Sequence, residues 1–306
     1  MITHPNAKIN LGLNVLRKRP DGYHDLETLF VPCTEICDSL EIVTGDDWSR
    51  TCAEMQNSGT NTAQAITPDG KVMITIARKE GVDWDPLKDL TVRAYELLAA
   101  DYDLPPVKIY LQKRIPVGAG LGGGSADAAA TLRALNRMAG SPLSSDKLLE
   151  IAASLGADVP FCLFGGTAIC RGVGDVIESV DGSARRFYTV VMGDDRVSTA
   201  AAYRALDEQR RGDVTEFPTR EDLRSLAEGG AVRLHNDFEA VVFPSHPVIS
   251  DIKRRLLSLG ATDALMSGSG AAVFGVFPDA GSAARAASAF SDADAFAVET
   301  VGQYYS

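Results

Sequence analysis

A stretch of eleven residues carries the strongest chemical signal in this sequence. Five of the eleven are glycine, in the order Pro116-Val117-Gly118-Ala119-Gly120-Leu121-Gly122-Gly123-Gly124-Ser125-Ala126. Because glycine has no Cβ atom, backbone N–H groups can close around an anion, and a helix that begins here adds the positive end of its dipole. The pattern indicates a cradle for phosphate groups, and we call these residues the glycine loop.

Other uses of a glycine-rich stretch fit the residues less well. A flexible linker seldom passes directly from a strand into a helix. The P-loop pattern is absent, because no Gly-Lys-Ser/Thr sequence closes the stretch. Gly118, Gly120 and Gly123 match the bare dinucleotide fingerprint, but that site needs an acidic residue about twenty positions later, and residue 138 is methionine. A dinucleotide site is therefore disfavoured.

Three other places carry side chains that could do chemistry. Lys8 and Asn10 share one face of a predicted strand, where they could equally be solvated side chains of an edge strand. Tyr23 and His24 follow a Pro-Asp-Gly turn and offer a stacking ring and an imidazole, although a packed surface tyrosine explains them equally well. Asp158 precedes a Val-Pro pair, where capping a helix is the simpler interpretation.

Hydrophobic periodicity predicts the elements that position these residues. Alternation predicts a strand at residues 107–113, and apolar residues three and four apart predict a helix immediately after the glycine loop. Other strands are predicted at residues 7–15, 28–31, 39–43, 71–77, 187–192 and 295–301, with a strand pair at 161–170 and two strands around a second glycine-rich turn at 265–274. Other helices are predicted at residues 87–98, 220–227, 247–259 and 283–290, and after caps at 144–145 and 198–199. Residues 45–70 are predicted to form a long loop with at most one short element.

Composition restricts the class of protein. The chain has 306 residues, of which 45% are hydrophobic and 23% charged, as in an ordinary globular protein with room for two domains. A net charge of −11 argues against a general surface for nucleic acid or anionic membranes. The sequence predicts neither a signal peptide nor a membrane-spanning run, and the five scattered cysteines fit reduced thiols. These features predict a cytoplasmic protein without a nucleic-acid or membrane partner.

Three separated segments together resemble one family, the GHMP small-molecule kinases. They are Ala-Lys-Ile-Asn-Leu at residues 7–11, the glycine loop, and Ser-Gly-Ser-Gly at residues 267–270. Residues 156–161 and 235–239 also fit the family. The Arg-Pro-Asp-Gly-Tyr-His turn at residues 19–24 is similar to that of members whose acceptor is a cytidyl diphosphate sugar alcohol. The resemblance spans nearly the whole chain and is weakest across residues 45–70 and 205–230.

The resemblance implies an α+β fold of two domains. Residues 1–184 would form the N-terminal ATP-binding domain, which is like domain 2 of ribosomal protein S5. Residues 185–306 would form a C-terminal α/β-sandwich domain of ferredoxin-like type, with the active site in the cleft between the two domains. A monomer or weak homodimer is expected.

The resemblance also implies the chemistry of individual residues. Lys8 and Asp158 match the family's catalytic pair, with the carboxylate accepting a proton from the acceptor hydroxyl and the ammonium offsetting developing charge. ATP phosphates would lie on residues 116–126, and Ser125 would lie near Mg²⁺. The substrate-binding residues would be Asn10 at the sugar alcohol, and Tyr23, His24 and Tyr203 at the cytosine base.

Two residues depart from the family pattern, and two other functions stay open. Ala126 stands where relatives often have a second serine, and Asp89 stands where they commonly have asparagine. The first departure removes a hydroxyl near the metal, and the second lies towards the adenine side. One alternative is a GHMP kinase for homoserine, mevalonate or another small alcohol, against which the turn at residues 20–24 argues. The other is a nucleotide-binding regulator without catalysis, which retention of both Lys8 and Asp158 disfavours.

Overall fold

The computed structural model describes residues 1–45, 47–180, 183–210 and 218–300. The strands, in chain order, are β1 Ile2–Thr3, β2 Asn6–Lys18, β3 His24–Cys37, β4 Ser39–Thr44, β5 Asn61–Ile66, β6 Val72–Arg78, β7 Val107–Gln112, β8 Ala168–Gly172, β9 Val176–Ser179, β10 Arg186–Met192, β11 Asp263–Met266, β12 Val273–Phe277 and β13 Asp294–Thr300. The helices are α1 Arg50–Asn57, α2 Leu90–Ala99, α3 Gly123–Met138, α4 Ser145–Leu155, α5 Val159–Phe164, α6 Thr199–Arg210, α7 Arg220–Ala227, α8 Glu239–Val242, α9 Pro247–Ser258 and α10 Ala280–Ser288, with a short 3-10 helix at Pro86–Lys88.

The described chain divides into two compact units that are interleaved along the sequence. Unit 1 contains Met1–Asn6, Cys37–Ile115 and Gly123–Phe164, and unit 2 contains Ala7–Ile36, Pro116–Gly122 and the chain from Gly165 onwards. The glycine loop therefore starts in unit 2 and ends in unit 1. Assignment of residues 1–184 and 185–306 to two domains stays a prediction.

Unit 1 is one mixed sheet covered by helices. Its five strands lie in the order β1-β4-β7-β6-β5. β6 and β7 are parallel, with Ile74 opposite Ile109, and α2 lies between them in the chain. Both isoleucines are fully buried, as is Leu132 of α3, so the helices pack their apolar faces on this sheet. This packing holds the start of α3, and with it the end of the glycine loop, against the end of β7.

A buried ion group joins the two ends of the glycine loop within unit 1. Lys113, which follows β7, bonds to Asp38 and, at 2.5 Å, to Asp127 in α3. The other oxygen of Asp38 accepts the backbone N–H groups of Arg114 and Ile115. A Cβ atom on Gly123 would lie 2.9 Å from Cγ2 of Ile115, so only glycine allows this close approach. The chain is thus held both immediately before and immediately after the loop.

The charges of this group perturb one another. Burial raises the pKa of Asp127 well above its usual range, because desolvation outweighs the attraction of Lys113. Burial alone would lower the pKa of Lys113, but the carboxylates of Asp127 and Asp38 outweigh it and raise that pKa. Lys113 is therefore a permanent cation within the described interior of unit 1.

Unit 2 has two four-stranded sheets. One has the order β2-β3-β8-β9 and the other β11-β12-β10-β13. Residues 235–237 run beside β2, where Leu13 N–H donates to the His235 carbonyl and Asp237 N–H donates to the Leu13 carbonyl. The core between strands and helices includes Leu13, Phe238 and Val273. This packing brings β2, residues 235–237 and the turn after β11 together.

The predicted elements agree with the structure except in two places, and the structure adds β1, β9 and α8, which were not predicted. Residues 45–70 contain two elements, α1 and β5, where at most one was predicted. Ser49 caps α1 by accepting the N–H of Cys52. The strand pair predicted at residues 161–170 was wrong in its first half: residues 161–164 are the end of α5, and only β8 is a strand. Short apolar runs do not distinguish a buried strand from a buried helix.

The prediction that the chain has no membrane span can be compared with the structure. Within the ranges described, no helix combines the length and the apolar character needed to cross a bilayer.

Replacing Lys113 by methionine tests the buried ion group. Lys113→Met keeps much of the side-chain volume but leaves Asp38 and Asp127 buried without their cation, so we expect the free energy of unfolding to fall by about 3–5 kcal/mol. Denaturant titration measures this loss. Lys147→Met is the matched control, because its partner Glu150 is an exposed neighbour on α4 and the pair should contribute little. If both variants lost the same free energy of unfolding, the buried ion group of Asp38, Lys113 and Asp127 would not be a determinant of stability.

Candidate active site

The glycine loop has a backbone that only glycine adopts readily. Gly118, Gly120 and Gly122 have φ angles of 74°, 74° and 71°. These angles lie in the left-handed region, which costs other residues about 1–2 kcal/mol. At Gly120 a Cβ atom would lie 2.2 Å from the carbonyl oxygen of Ser267, whereas at Gly118 it would meet nothing within 4 Å. Gly120 is thus needed for close packing within unit 2, and Gly118 borders open space.

The loop uses its carbonyl groups to bond to the rest of unit 2. The carbonyl of Ala119 accepts the N–H of Ala272 at 3.0 Å, and the carbonyl of Leu121 accepts the N–H of Lys8 at 2.9 Å. The carbonyl of Gly120 accepts the hydroxyl of Ser267 at 3.0 Å. In a trans peptide the N–H points opposite to the C=O of the same plane. The N–H groups of residues 120–122 are therefore directed away from these partners.

The loop N–H groups remain available to a ligand. In the ranges that the structure describes, the N–H groups of residues 120–122 donate no hydrogen bond to the protein, while Val117 and Gly118 form a turn. α3 begins at Gly123, and the first N–H groups of a helix have no partner within it. Consecutive unpaired donors that border open space are what an anion requires. Binding of phosphate groups by this loop stays a prediction.

Lys8 and Asn10 are buried side chains of β2, not solvated ones. Nζ of Lys8 donates to Oδ1 of Asn10 at 2.8 Å and lies 4.6 Å from the centre of the Phe30 ring. Nδ2 of Asn10 donates to Oγ1 of Thr28 at 2.8 Å, and that hydroxyl donates to the carbonyl of Gly12. The interpretation of these side chains as solvated is therefore wrong, although β2 is an edge strand of its sheet. Asn10 orients the Lys8 ammonium, and its proposed contact with the sugar alcohol stays a prediction.

The second glycine-rich turn and residues 235–239 complete this part of unit 2. Ser267 is fully buried, and its hydroxyl accepts the N–H of Asn10 at 3.3 Å. Nδ2 of Asn236 donates to the carbonyls of Met266 and Gly268 at 2.7 and 2.8 Å. The turn thus lies between β2 and the glycine loop, and the amide of Asn236 holds its backbone in place.

Asp237 anchors the same segment through charge. Its carboxylate accepts the N–H of Val15 at 2.6 Å and lies 2.5 Å from Arg210 and 2.9 Å from His235. Burial alone would raise its pKa, but the hydrogen bonds from His235, Arg210 and Val15 outweigh burial and lower it. The ionised carboxylate fixes residues 235–237 beside β2.

The residues predicted to bind a nucleobase form an aromatic group in unit 2. Tyr23 is 64% exposed at the end of the turn that leads into β3. The ring of His24 is buried and stacks on Tyr203 of α6, with 4.6 Å between ring centres and 23° between planes. Tyr203 also meets the ring of Phe238 edge-on at 4.8 Å. His24 and Tyr203 are therefore brought together, while Tyr23 presents an exposed ring.

Asp158 and Ser125 lie in unit 1 at the starts of two helices. The carbonyl of Asp158 accepts the N–H of Cys162, so Asp158 occupies the cap position of α5 and is half-buried. Ser125 lies in the first turn of α3 and is also half-buried. The pairing of Asp158 with Lys8, which belongs to unit 2, stays a prediction. Asp89 caps α2 by accepting the N–H of Thr91, a role that asparagine shares.

Sequence reasoning missed Asp207 and the Asp38–Lys113–Asp127 group. Asp207 lies four residues after Tyr203, and both side chains meet His24 from the same face of α6. The four-residue spacing from Tyr203 could have indicated Asp207 once Tyr203 was considered. Nothing in the spacing of Asp38, Lys113 and Asp127 signals their contact.

Comparison with known proteins identifies the family. A model of the GHMP kinases N terminal domain matches residues 89–166, and the GHMP kinases C terminal model matches residues 215–295. A 4-diphosphocytidyl-2-C-methyl-D-erythritol kinase of Bacteroides fragilis is 42% identical over 278 residues, which cover 90% of this chain and 92% of that protein. The chain belongs to the GHMP kinases, in the group of 4-diphosphocytidyl-2-C-methyl-D-erythritol kinases. The resemblance inferred from five short segments is thereby confirmed.

Solved structures agree with this GHMP kinase assignment. A crystal structure of 4-(cytidine 5'-diphospho)-2C-methyl-D-erythritol kinase is 32% identical, with a TM-score of 0.77, and the match covers 99% of this chain and 100% of that one. A mevalonate kinase from L. major in complex with R-mevalonate is 13% identical, with a TM-score of 0.63 and coverage of 99% and 97%. The second likeness shows the GHMP kinase fold alone. A mevalonate-type acceptor is therefore not favoured.

Replacing Ser267 by alanine tests the junction between the turn and the glycine loop. Ser267→Ala removes the donor to the partly buried Gly120 carbonyl and the acceptor of the buried Asn10 N–H, so each loses that partner. We expect the free energy of unfolding to fall by about 1–3 kcal/mol. Ser288→Ala is the control, since its exposed hydroxyl bonds only to the Ala284 carbonyl of its own helix. Indistinguishable denaturation midpoints for the two variants would contradict a role for Ser267 in holding the loop.

Proposed function

We propose that this GHMP kinase transfers the γ-phosphoryl group of ATP to the 2-hydroxyl of 4-(cytidine 5'-diphospho)-2-C-methyl-D-erythritol. The products are the 2-phosphate and ADP, in the non-mevalonate route to isopentenyl diphosphate. The observation that carries the phosphate part is the glycine loop, whose carbonyls at residues 119–121 bond to unit 2 while the N–H groups of residues 120–122 have no partner among the described residues. The acceptor is supported by the 42% identical relative and its printed name.

The loop would bind ATP through its backbone donors. The N–H groups of residues 118–125 would contact the phosphates, and the start of α3 would add the positive end of its dipole. Such local donors are needed because a net charge of −11 disfavours anions over most of the surface. No Walker lysine is required, since a backbone nest alone binds phosphate oxygens.

The residues near the loop fit a magnesium ion that arrives with ATP. Over the described ranges, no cluster of three or more His, Cys, Asp or Glu side chains could enclose a metal ion. Mg²⁺ in kinases is usually held by substrate phosphates and one or two protein oxygens, and when bound it neutralises phosphate charge. The Ser125 hydroxyl would supply one such oxygen, and Ala126 supplies none.

Lys8 and Asp158 would act on the acceptor hydroxyl. A tertiary alcohol is a poor nucleophile while it keeps its proton, and a half-buried carboxylate at Asp158 would accept that proton. The Lys8 ammonium, held by Asn10, would offset charge that develops on the transferred group. Tyr23 would stack on one face of the cytosine and Tyr203 on the other. His24 would bond to the polar edge of the cytosine. We place the reaction in the cytoplasm, in a monomer or weak homodimer.

Replacing Asp158 by asparagine separates proton transfer from binding. Asp158→Asn keeps the shape of the side chain but removes its basicity, so kcat should fall by about 10²-fold or more while both KM values change little. Steady-state kinetics of ADP release give these constants. Asp101→Asn, an exposed carboxylate of the same unit, should leave kcat unchanged. Near-normal turnover in Asp158→Asn would remove Asp158 from the role of base.

A pair of glycine variants tests the cradle. Gly118→Ala and Gly140→Ala both place a Cβ atom at a positive φ with nothing within 4 Å, so each should cost about 1–2 kcal/mol of stability. Only Gly118 lies in the loop, so only Gly118→Ala should raise the KM for ATP, because its Cβ atom would occupy the space that the cradle offers to a phosphate. The rise should be about tenfold, which corresponds to one displaced hydrogen bond to a charged group. Equal ATP kinetics in the two variants would count against the cradle.

An acceptor screen tests the substrate itself. ADP release should depend on 4-(cytidine 5'-diphospho)-2-C-methyl-D-erythritol and should be absent with mevalonate or homoserine alone. Turnover with either of those two alcohols would move the assignment to another branch of the GHMP kinases.

A further inference from the structure

The buried ring of His24 is held by two residues from one face of α6. Tyr203 stacks on the ring, and Asp207, one helical turn later, lies 2.7 Å from Nε2 through its Oδ1. Side chains four apart on a helix are neighbours, so both contacts depend on one docked face. The ring cannot rotate about its own axis without losing the bond to Asp207. Its orientation is therefore determined by α6.

Asp207 is an ionised partner for that ring nitrogen. Its second oxygen accepts Nζ of Lys18 at 2.8 Å. Burial alone would raise the pKa of Asp207, but the hydrogen bonds from Lys18 and His24 outweigh burial and lower that pKa. A carboxylate has only acceptor sites, so the nitrogen that faces it must carry a proton. Nε2 of His24 is consequently the protonated nitrogen.

In the neutral form of this ring, the other nitrogen is an acceptor. In a neutral imidazole one nitrogen donates and the other accepts. Within the described ranges, Nδ1 of His24 makes no hydrogen bond to any residue. Nδ1 is also not one of the fully buried polar atoms that are left without a partner there. Nδ1 therefore has a lone pair that no described residue uses.

A lone pair at this position distinguishes two pyrimidines. Cytosine carries an exocyclic amine, a donor, where uracil-type bases carry a carbonyl oxygen, an acceptor. The amine can donate to Nδ1, whereas the carbonyl oxygen would face a second lone pair. A site built to accept a hydrogen bond rejects the analogue that cannot donate one.

We propose that Asp207 is a specificity-determining residue, which holds His24 in the tautomer that accepts the cytosine amine and thereby rejects uracil. Asp207 acts through His24 and is a positioning residue. The inference rests on the proposed function, because it takes the cytidyl substrate and the contact of His24 with the base from there.

The tautomer is measured directly, without any substrate. In protein labelled with ¹⁵N-histidine, long-range ¹H–¹⁵N correlation should show one protonated and one bare nitrogen for His24, with the proton on Nε2. The chain has four histidines, and a His24→Gln spectrum assigns the signal. A proton on Nδ1, or on both nitrogens at neutral pH, would overturn the inference whatever the enzyme phosphorylates.

Selectivity is measured as the ratio of kcat/KM for the cytidyl substrate to that for 4-(uridine 5'-diphospho)-2-C-methyl-D-erythritol. Asp207→Asn keeps the side-chain shape but can donate as well as accept, so the tautomer is no longer imposed. The ratio should fall by about tenfold or more, the range of one well-made base contact, while the KM for ATP stays unchanged. A merely structural role would lower activity on both substrates and leave their ratio intact.

Two further variants separate the possible failures. Lys18→Met removes the other partner of Asp207 but leaves the bond to His24, so it should keep the wild-type ratio. His24→Ala should abolish the preference for cytidine. If His24→Ala keeps the preference, the proposed contact of His24 with the base is wrong, and the inference falls with it. If His24→Ala loses the preference but Asp207→Asn keeps it, the proposed function survives and the role of Asp207 is wrong.

Discussion

The direction of the peptide groups in the glycine loop is the constraint on which the rest of the site depends. Each carbonyl that bonds to unit 2 turns the N–H of the same peptide plane the other way, because the peptide is planar and trans. Three such bonds, at residues 119–121, therefore leave consecutive donors unused by the described protein. Positive φ angles at Gly118, Gly120 and Gly122 make this backbone path possible. A side chain at Gly120 would displace Ser267 and release the middle of the loop.

The loop is held at its ends by a different kind of interaction. Within unit 1, the ammonium of Lys113 bonds to carboxylates from both sides of the loop, and Asp38 also accepts the two N–H groups that follow β7. Buried ions are costly to desolvate, so such a group is a weak general stabiliser but a strong geometric restraint. A loop whose ends are fixed loses less conformational entropy when it binds a ligand. This pre-organisation suits a reaction in which catalysis is mainly positioning.

Carboxylates also determine what other side chains can do in unit 2. Asp237 keeps residues 235–237 beside β2, and Asp207 determines which nitrogen of His24 carries the proton. In both cases hydrogen bonds outweigh burial and keep the carboxyl ionised. From the sequence, Asp237 was noted only as part of the segment at residues 235–239, and Asp207 was not noted, although it lies one helical turn from Tyr203. Aspartates are common on the exposed faces of helices, so the residue type of Asp207 alone does not reveal its role.

Most helices and strands followed from periodicity, and the two errors have physical causes. α1 buries only Thr51 and Met55, so it has little apolar pattern, and its clearest signal is the cap at Ser49. Residues 161–164 are apolar and few, and such a run suits a short buried helix as well as a strand. The family assignment was reached from five short segments, because their order along the chain carries information that no single segment has.

The sequence by itself predicted a phosphate cradle at the glycine loop and determined the order of most elements and the family. These properties depend on residue type and on local spacing, which can be read along the chain. Tertiary structure alone decided which groups of the loop face the protein, that Lys8 and Asn10 are buried, and that Asp207 meets His24. Those contacts join residues as far apart as Gly120 and Ser267, or His24 and Asp207. Their geometry comes from the packing of separate elements, which leaves no periodic trace in the sequence.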